Sequence, residues 1–142
     1  MPAPSESPTA SPTEPRAVFL HFLGLISDGR WTEIADLYAE DVDVTIMFTD
    51  PPVRLHHREE LRKRFDTVAA TDAVRMRAEN IRVHQTDDPE VVIAEFDYDG
   101  LHPATGHTFH AANIQVMRIR DGLIVETRDY HDHRAMAAAR EP

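Results

Sequence analysis

The sequence predicts an α+β fold, a strongly curved antiparallel sheet wrapped around three N-terminal helices to form a cone with an internal cavity. Three observations carry this. Helical periodicity is concentrated in the first half of the chain, and β patterning fills the second. Asp121-Gly122 is a two-residue turn between runs rich in Val, Ile and Thr, the mark of a hairpin. The strands run to about thirteen residues against a usual ~5–6, so the sheet must curve, and a curved sheet capped by helices encloses space.

The elements follow in order. Residues 1–15 hold Pro2, Pro4, Pro8, Pro12 and Pro15 among Ser, Thr and Ala, too little apolar surface to offset ordering entropy, and are expected to be a disordered tail. Helix one starts near Arg16 and carries Phe19, Phe22, Leu23 and Ile26 on one stripe until Asp28-Gly29 ends it. A short helix from Thr32 to Ala39 buries Ile34, Leu37 and Tyr38. Val42–Phe48 is a strand, broken by Thr49-Asp50-Pro51-Pro52 because prolines cannot donate to a ladder. A third helix from Arg58 to Ala70 shows Leu61, Phe65, Val68 and Ala69 on one face. Strands follow at 74–84, 91–101, 108–120 and 123–130, then a last helix near 132–140. The folded domain is expected to span 16–135, with 136–142 as a C-terminal tail.

Composition excludes several classes. The chain has 142 residues, enough for one domain with a core and a pocket. It has no cysteine, hence no disulfide, thiol nucleophile or thiolate metal site. A net charge of −10 disfavours a nucleic-acid surface, since binding phosphates needs clustered Lys and Arg. Its only local basic cluster, Arg62-Lys63-Arg64, lies among Glu59, Glu60 and Asp66. No basic-then-apolar leader and no membrane-length run is present, so a cytoplasmic protein without membrane partners is expected.

Candidate chemistry concentrates in the last hairpin. Side chains two apart share a strand face, so Asn113, Gln115 and Met117 face one way on the first strand and Val125, Thr127 and Asp129 on the second. Burying two amides and a carboxylate is costly, and a ligand cavity would explain it. Asp129 reads as a general acid or base, or else as the partner of Arg128 or Arg118 at a strand end. Gln115 and Asn113 read as donors for a substrate oxygen, or as cross-strand amide pairs. His107 shares the parity of Asn113 and is placed at the cavity mouth. His110 has the opposite parity, and His102 is left unassigned. The flexible turn among these three disfavours a metal, and none is expected. In His131-Asp132-His133, Asp132 is a helix N-cap. Glu95, Asp97 and Asp99 are expected outward, the costlier set to bury. Met117, Tyr38 and Phe48 are candidate apolar contacts for a substrate. On the outer face Ile114, Val116, Ile124 and Tyr130 alternate with Arg118, Glu126 and Arg128, a mixed patch that predicts a homodimer.

Three segments carry a family resemblance: Asp36-Leu37-Tyr38-Ala39-Glu40-Asp41-Val42, Thr86-Asp87-Asp88-Pro89, and Ile119-Arg120-Asp121-Gly122-Leu123-Ile124 with Arg128-Asp129-Tyr130-His131-Asp132. With the element order, they resemble the SnoaL-like branch of the nuclear transport factor 2-like superfamily over residues 16–135. That superfamily includes polyketide cyclases, ketosteroid isomerases, dehydratases, epoxide hydrolases, phenazine-pathway proteins and binding modules. The resemblance implies a cofactor-free acid–base cyclase, isomerase or dehydratase acting on a small apolar or conjugated secondary-metabolite intermediate. A non-catalytic ligand-binding or dimerisation module of the same fold is the alternative. The resemblance places the retained acid at Asp129 and a base candidate at Asp50, before Pro51, which reads otherwise as a turn residue bonding its own backbone. Where the cyclases carry a histidine, this chain has Gln115.

Overall fold

In the computed structural model, which describes residues 13–142, six strands form one curved sheet in the order β2-β1-β6-β5-β4-β3. Helix α1 (Pro15–Ser27) starts on a proline, whose fixed φ suits the first turn. Its Phe19 and Phe22 lie inward, and Phe19 meets Phe96 with ring centroids 5.9 Å apart. Each such ring contributes ~1.5–3 kcal/mol by leaving water.

The expected second helix is cut short. Helix α2 (Trp31–Ile34) passes into a 3-10 turn at Ala35–Leu37, and Tyr38 opens strand β1 (Tyr38–Ile46). The chain then forms an edge strand the sequence reading lacked, β2 (Val53–His56), antiparallel to β1 directly after the prolines. Helix α3 (Arg58–Thr71) follows, then β3 (Arg75–Gln85), β4 (Val91–His102), β5 (His107–Arg120) and β6 (Leu123–His131). All neighbouring strands are antiparallel but one pair. β1 runs parallel to β6, setting Val44 opposite Thr127 and Ile46 opposite Asp129.

Alternation along β4 buries Val92, Ala94, Phe96 and Tyr98, so Glu95, Asp97 and Asp99 face outward as expected. On β6 the alternation slips once. Arg118 pairs with Glu126 but Ile119 pairs with Ile124, leaving Val125 as the extra residue of a bulge. Ile124 is therefore 0% exposed and belongs to the core, a correction to its place on the outer face.

The expected tail at 1–15 lies mostly outside the described residues. At the other end, Asp132 caps α4 (His133–Ala138) through the Ala135 N–H, as the sequence predicts. Ala139 is buried and its carbonyl accepts from Thr105 Oγ1 at 2.7 Å, so chain beyond residue 135 packs onto the domain.

Two expected results concern this scaffold. Glu90 accepts from Arg118 and Arg120 at 2.9–3.0 Å, and these partners hold its carboxyl down at about 2. A depressed carboxylate contributes stability above its unfolded value of 4.5 that is lost as pH falls through about 2. A carboxyl NMR titration of Glu90 should thus give a midpoint far below those of other glutamates, and a midpoint near 4.5 would show the clamp is not formed in solution. Gly100 faces the ring of Phe109, where an added Cβ would sit 2.1 Å from the ring edge. Gly100→Ala should cost ~1–3 kcal/mol by overpacking, read as a drop of several degrees in Tm.

Candidate active site

The sheet's concave face, α1, α3 and α4 enclose a cavity of about 640 Å³. One wall is aromatic: Trp31 stacks on Phe65 with centroids 6.2 Å apart, and Phe65 stacks on Tyr38 at 6.4 Å. Val44, Leu61, Val68 and Met76 extend this apolar lining. Polar groups on this lining include Gln115 of β5, Asp129 and His131 of β6, Tyr98 and His102 of β4, and Tyr38.

Asp129 is the one acidic side chain in the lining and is only 9% exposed. Antiparallel register sets it opposite Gln115, whose Nε2 donates to Asp129 Oδ1 at 2.8 Å. A carboxylate can only accept here, so the amide nitrogen faces it and Gln115 Oε1 is left buried without a partner. On the other side, His131 Nε2 lies 3.9 Å from Asp129 Oδ2. That gap exceeds a direct hydrogen bond.

Asn113 fixes the state of His131. Its amide nitrogen donates to the carbonyls of Phe96 and Ala111, which leaves its oxygen to accept from His131 Nδ1 at 2.8 Å. The Nδ1 of His131 therefore carries hydrogen, and Nε2 is the nitrogen that faces Asp129. His133 also lines the cavity, its Nε2 donating to the Met47 carbonyl at 2.8 Å.

Burial and then the charge of Asp129 push the phenols of Tyr38 and Tyr98 up, Tyr38 well above its usual range. Both remain protonated at neutral pH and are available as donors. Among the described residues neither the carboxylate nor the imidazoles converge into a metal-binding cluster.

A buried carboxylate, an imidazole with a defined free nitrogen and two phenols in an apolar cavity can remove a proton, return it elsewhere and hold an oxygen as negative charge develops. The profile of the SnoaL-like domain matches residues 19–127. The chain belongs to the SnoaL-like family.

Among its relatives, an uncharacterized PhzA/B-like protein of Pseudomonas aeruginosa is 25% identical over 117 residues, 81% of this chain and 82% of the relative. A solved structure provisionally described as an isomerase, from Bacillus subtilis, superposes with TM-score 0.78 at 22% identity, covering 88% of this chain and 91% of that one. Another, provisionally described as a polyketide cyclase from Pseudomonas putida, gives 0.77 at 18% identity, covering 90% and 98%. A nuclear transport factor 2-like protein of Burkholderia xenovorans superposes with TM-score 0.70 at 18% identity, covering 93% of this chain and 100% of that one, and at these identities the likenesses show the nuclear transport factor 2-like fold alone.

The SnoaL-like cavity gathers only part of the set read from sequence. Asp129, Gln115 and Tyr38 line it. Met117 and Asn113 are buried on the expected face but outside the lining, Met117 in the core and Asn113 behind His131. Gln115 gives one of its two amide N–H donors to Asp129 and so holds the carboxylate in place.

Phe48 is corrected outright. β1 ends at Ile46, and Phe48 adopts φ 66° in the following turn. Its ring is 75% exposed and packs on Tyr130 at 5.4 Å, on the convex face. Asp50 is exposed in the same turn, and His107 is exposed where β5 begins; neither lines the cavity.

The sequence reading passed over His131 as a site residue, although Asp129 and His131 are two apart and the strand continues to His131. The parity that placed Asp129 inward also places His131.

Proposed function

We propose that this SnoaL-like protein is a cofactor-independent cytoplasmic enzyme, a cyclase, isomerase or dehydratase acting on a polyketide-like or other apolar, conjugated intermediate. One observation carries the reading: Asp129 is buried at the polar end of an apolar cavity, gripped by Gln115 on one oxygen, with His131 Nε2 3.9 Å from the other. A carboxylate needed only for folding gains nothing from facing an open cavity with an imidazole just out of reach, because buried polar groups are stabilised by direct partners. The descriptions of the B. subtilis and P. putida structures as isomerase and cyclase agree with proton-transfer chemistry in this fold.

In the proposed reaction Asp129 takes a proton beside a substrate carbonyl. Tyr38 and Tyr98 donate to the oxygen as it gains negative charge, and His131 Nε2 exchanges a proton at the second position. The aromatic wall of Trp31, Phe65 and Tyr38 holds a flat substrate and keeps water away. The test is a turnover screen of β-dicarbonyl and polyketide-like compounds with the native protein and Asp129→Asn in parallel. Turnover present only with the carboxylate supports the proposal, and turnover indifferent to Asp129 sinks it.

We also propose a homodimer through the convex face. Ile114 is 43% exposed there, beside Phe48 and Tyr130 at a groove of about 590 Å³. A patch of exposed Phe48 and Ile114 around half-buried Tyr130 on a lone domain favours association. Sedimentation at micromolar concentration should give twice the chain mass, and Ile114→Glu should halve it. A monomeric mass for the unmodified chain would rule the dimer out.

A further inference from the structure

The cavity reverses the charge balance of the molecule. The chain has 25 Asp and Glu against 15 Lys and Arg, a net charge of −10. Its cavity lining holds one acid, Asp129, and two arginines, Arg64 and Arg140.

Among the described residues neither of these two arginines forms an ion pair; Arg16, Arg54, Arg82 and Arg134 form none either, but they lie outside the cavity lining. Both sites are placed by structure. Arg64 projects from α3 between cavity-lining Leu61 and Phe65, near enough to Tyr38 for its charge to act on the phenol. Arg140 follows Ala139, which is buried and pinned by the Thr105 hydroxyl at the cavity wall. On so acidic a protein, two exposed guanidiniums without ion-pair partners at a pocket with a single carboxylate concentrate positive potential at its lining.

We propose that the cavity's ligand is an apolar organic acid, bound as its carboxylate against Arg64 and Arg140 with its carbon skeleton on the aromatic wall. A guanidinium presents parallel N–H donors that match a carboxylate's two oxygens. The flat stack of Trp31, Phe65 and Tyr38 fits a fused or conjugated ring system. The inference deepens the proposed function by naming the substrate class, and it rests on the cavity being the ligand site, whether or not Asp129 performs chemistry there.

The experiment compares 2-naphthoate with 2-naphthalenemethanol, a neutral compound of nearly the same shape, by calorimetry on the full chain. Quenching of Trp31, the only tryptophan, reports that binding is in the cavity. The acid should bind about tenfold more tightly, a difference typical of a partly solvated charge-assisted contact. Arg64→Gln and Arg140→Gln should each weaken the acid several-fold and leave the alcohol unchanged, and the double variant should bind the two alike. The alcohol's unchanged affinity also shows that the variants are folded. Added salt should weaken only the acid.

Equal affinities for acid and alcohol in the native protein overturn this inference alone, as does a preference that survives the double variant. Binding of neither compound overturns it together with the ligand cavity. Asp129→Asn should keep the preference for the acid, so loss of turnover in that variant bears on the catalytic reading and not on this one.

Discussion

Asp129→Asn is expected to lower turnover on the true substrate by ~10²–10⁴-fold, the usual contribution of a positioned general acid or base. The substitution removes the titratable proton and little else. Asparagine has the same shape, and its amide can reverse the existing contact by donating to Gln115 Oε1, the atom now buried without a partner. The fold and the apolar lining should survive, so Tm should move by no more than a few degrees and substrate affinity by far less than turnover. Gln115→Leu separates positioning from proton transfer. It strips the donor from Asp129 Oδ1 and frees the carboxylate to shift but leaves it ionisable, so kcat should fall while a pH-dependent profile remains. Tyr98→Phe should lower kcat by a smaller factor through loss of one oxygen-binding donor. Full turnover of Asp129→Asn with an unchanged pH profile would make the carboxylate structural and remove the main support of the enzyme reading.

Much of this site could be read from the sequence, because its geometry is local. Parity along each strand places Gln115 and Asp129 on the buried face, while the turn at Asp121-Gly122 alone would set Gln115 opposite Arg128, and the bulge at Val125 brings Asp129 into that place. The outward placement of Glu95, Asp97 and Asp99 followed from cost alone. What escaped were non-local or single-residue events. The parallel pairing of β1 with β6 joins segments about eighty residues apart, and nothing in either strand names its partner. A bulge at Val125 shifts parity by one and moves Ile124 from the outer face to the core. Phe48 keeps inward parity only if β1 continues, but the strand stops at Ile46 and a left-handed residue turns the ring out. Edge strand β2 is four residues long and follows two prolines, so its alternation of Val53, Arg54, Leu55 and His56 is too short to stand out. His131 was legible in principle, by the same count of two from Asp129, and was masked by the helix cap at the next residue.

His131→Gln is expected to cost a further ~10²-fold or more in turnover if the imidazole exchanges the second proton, because glutamine can fill the space and hydrogen-bond to Asn113 but cannot titrate. The sharper comparison acts from behind. Asn113 contributes a neutral oxygen 2.8 Å from His131 Nδ1, and Asn113→Asp places a carboxylate there. A negative charge at that distance favours the imidazolium, so His131 would hold its proton to higher pH. If His131 is the acid in the reaction, the alkaline limb of the kcat profile should move to higher pH in Asn113→Asp. The same limb should vanish in His131→Gln. Asn113→Asp also loses the donors to Phe96 and Ala111, so some stability will be lost, and the profile must be measured below the variant's own melting temperature. A structural His131 predicts a different pair of outcomes: lower Tm in both variants, with the pH dependence of turnover unmoved in either. The direction of the alkaline limb therefore decides whether Asn113, which never touches the cavity, is a positioning residue for proton transfer or only part of the core.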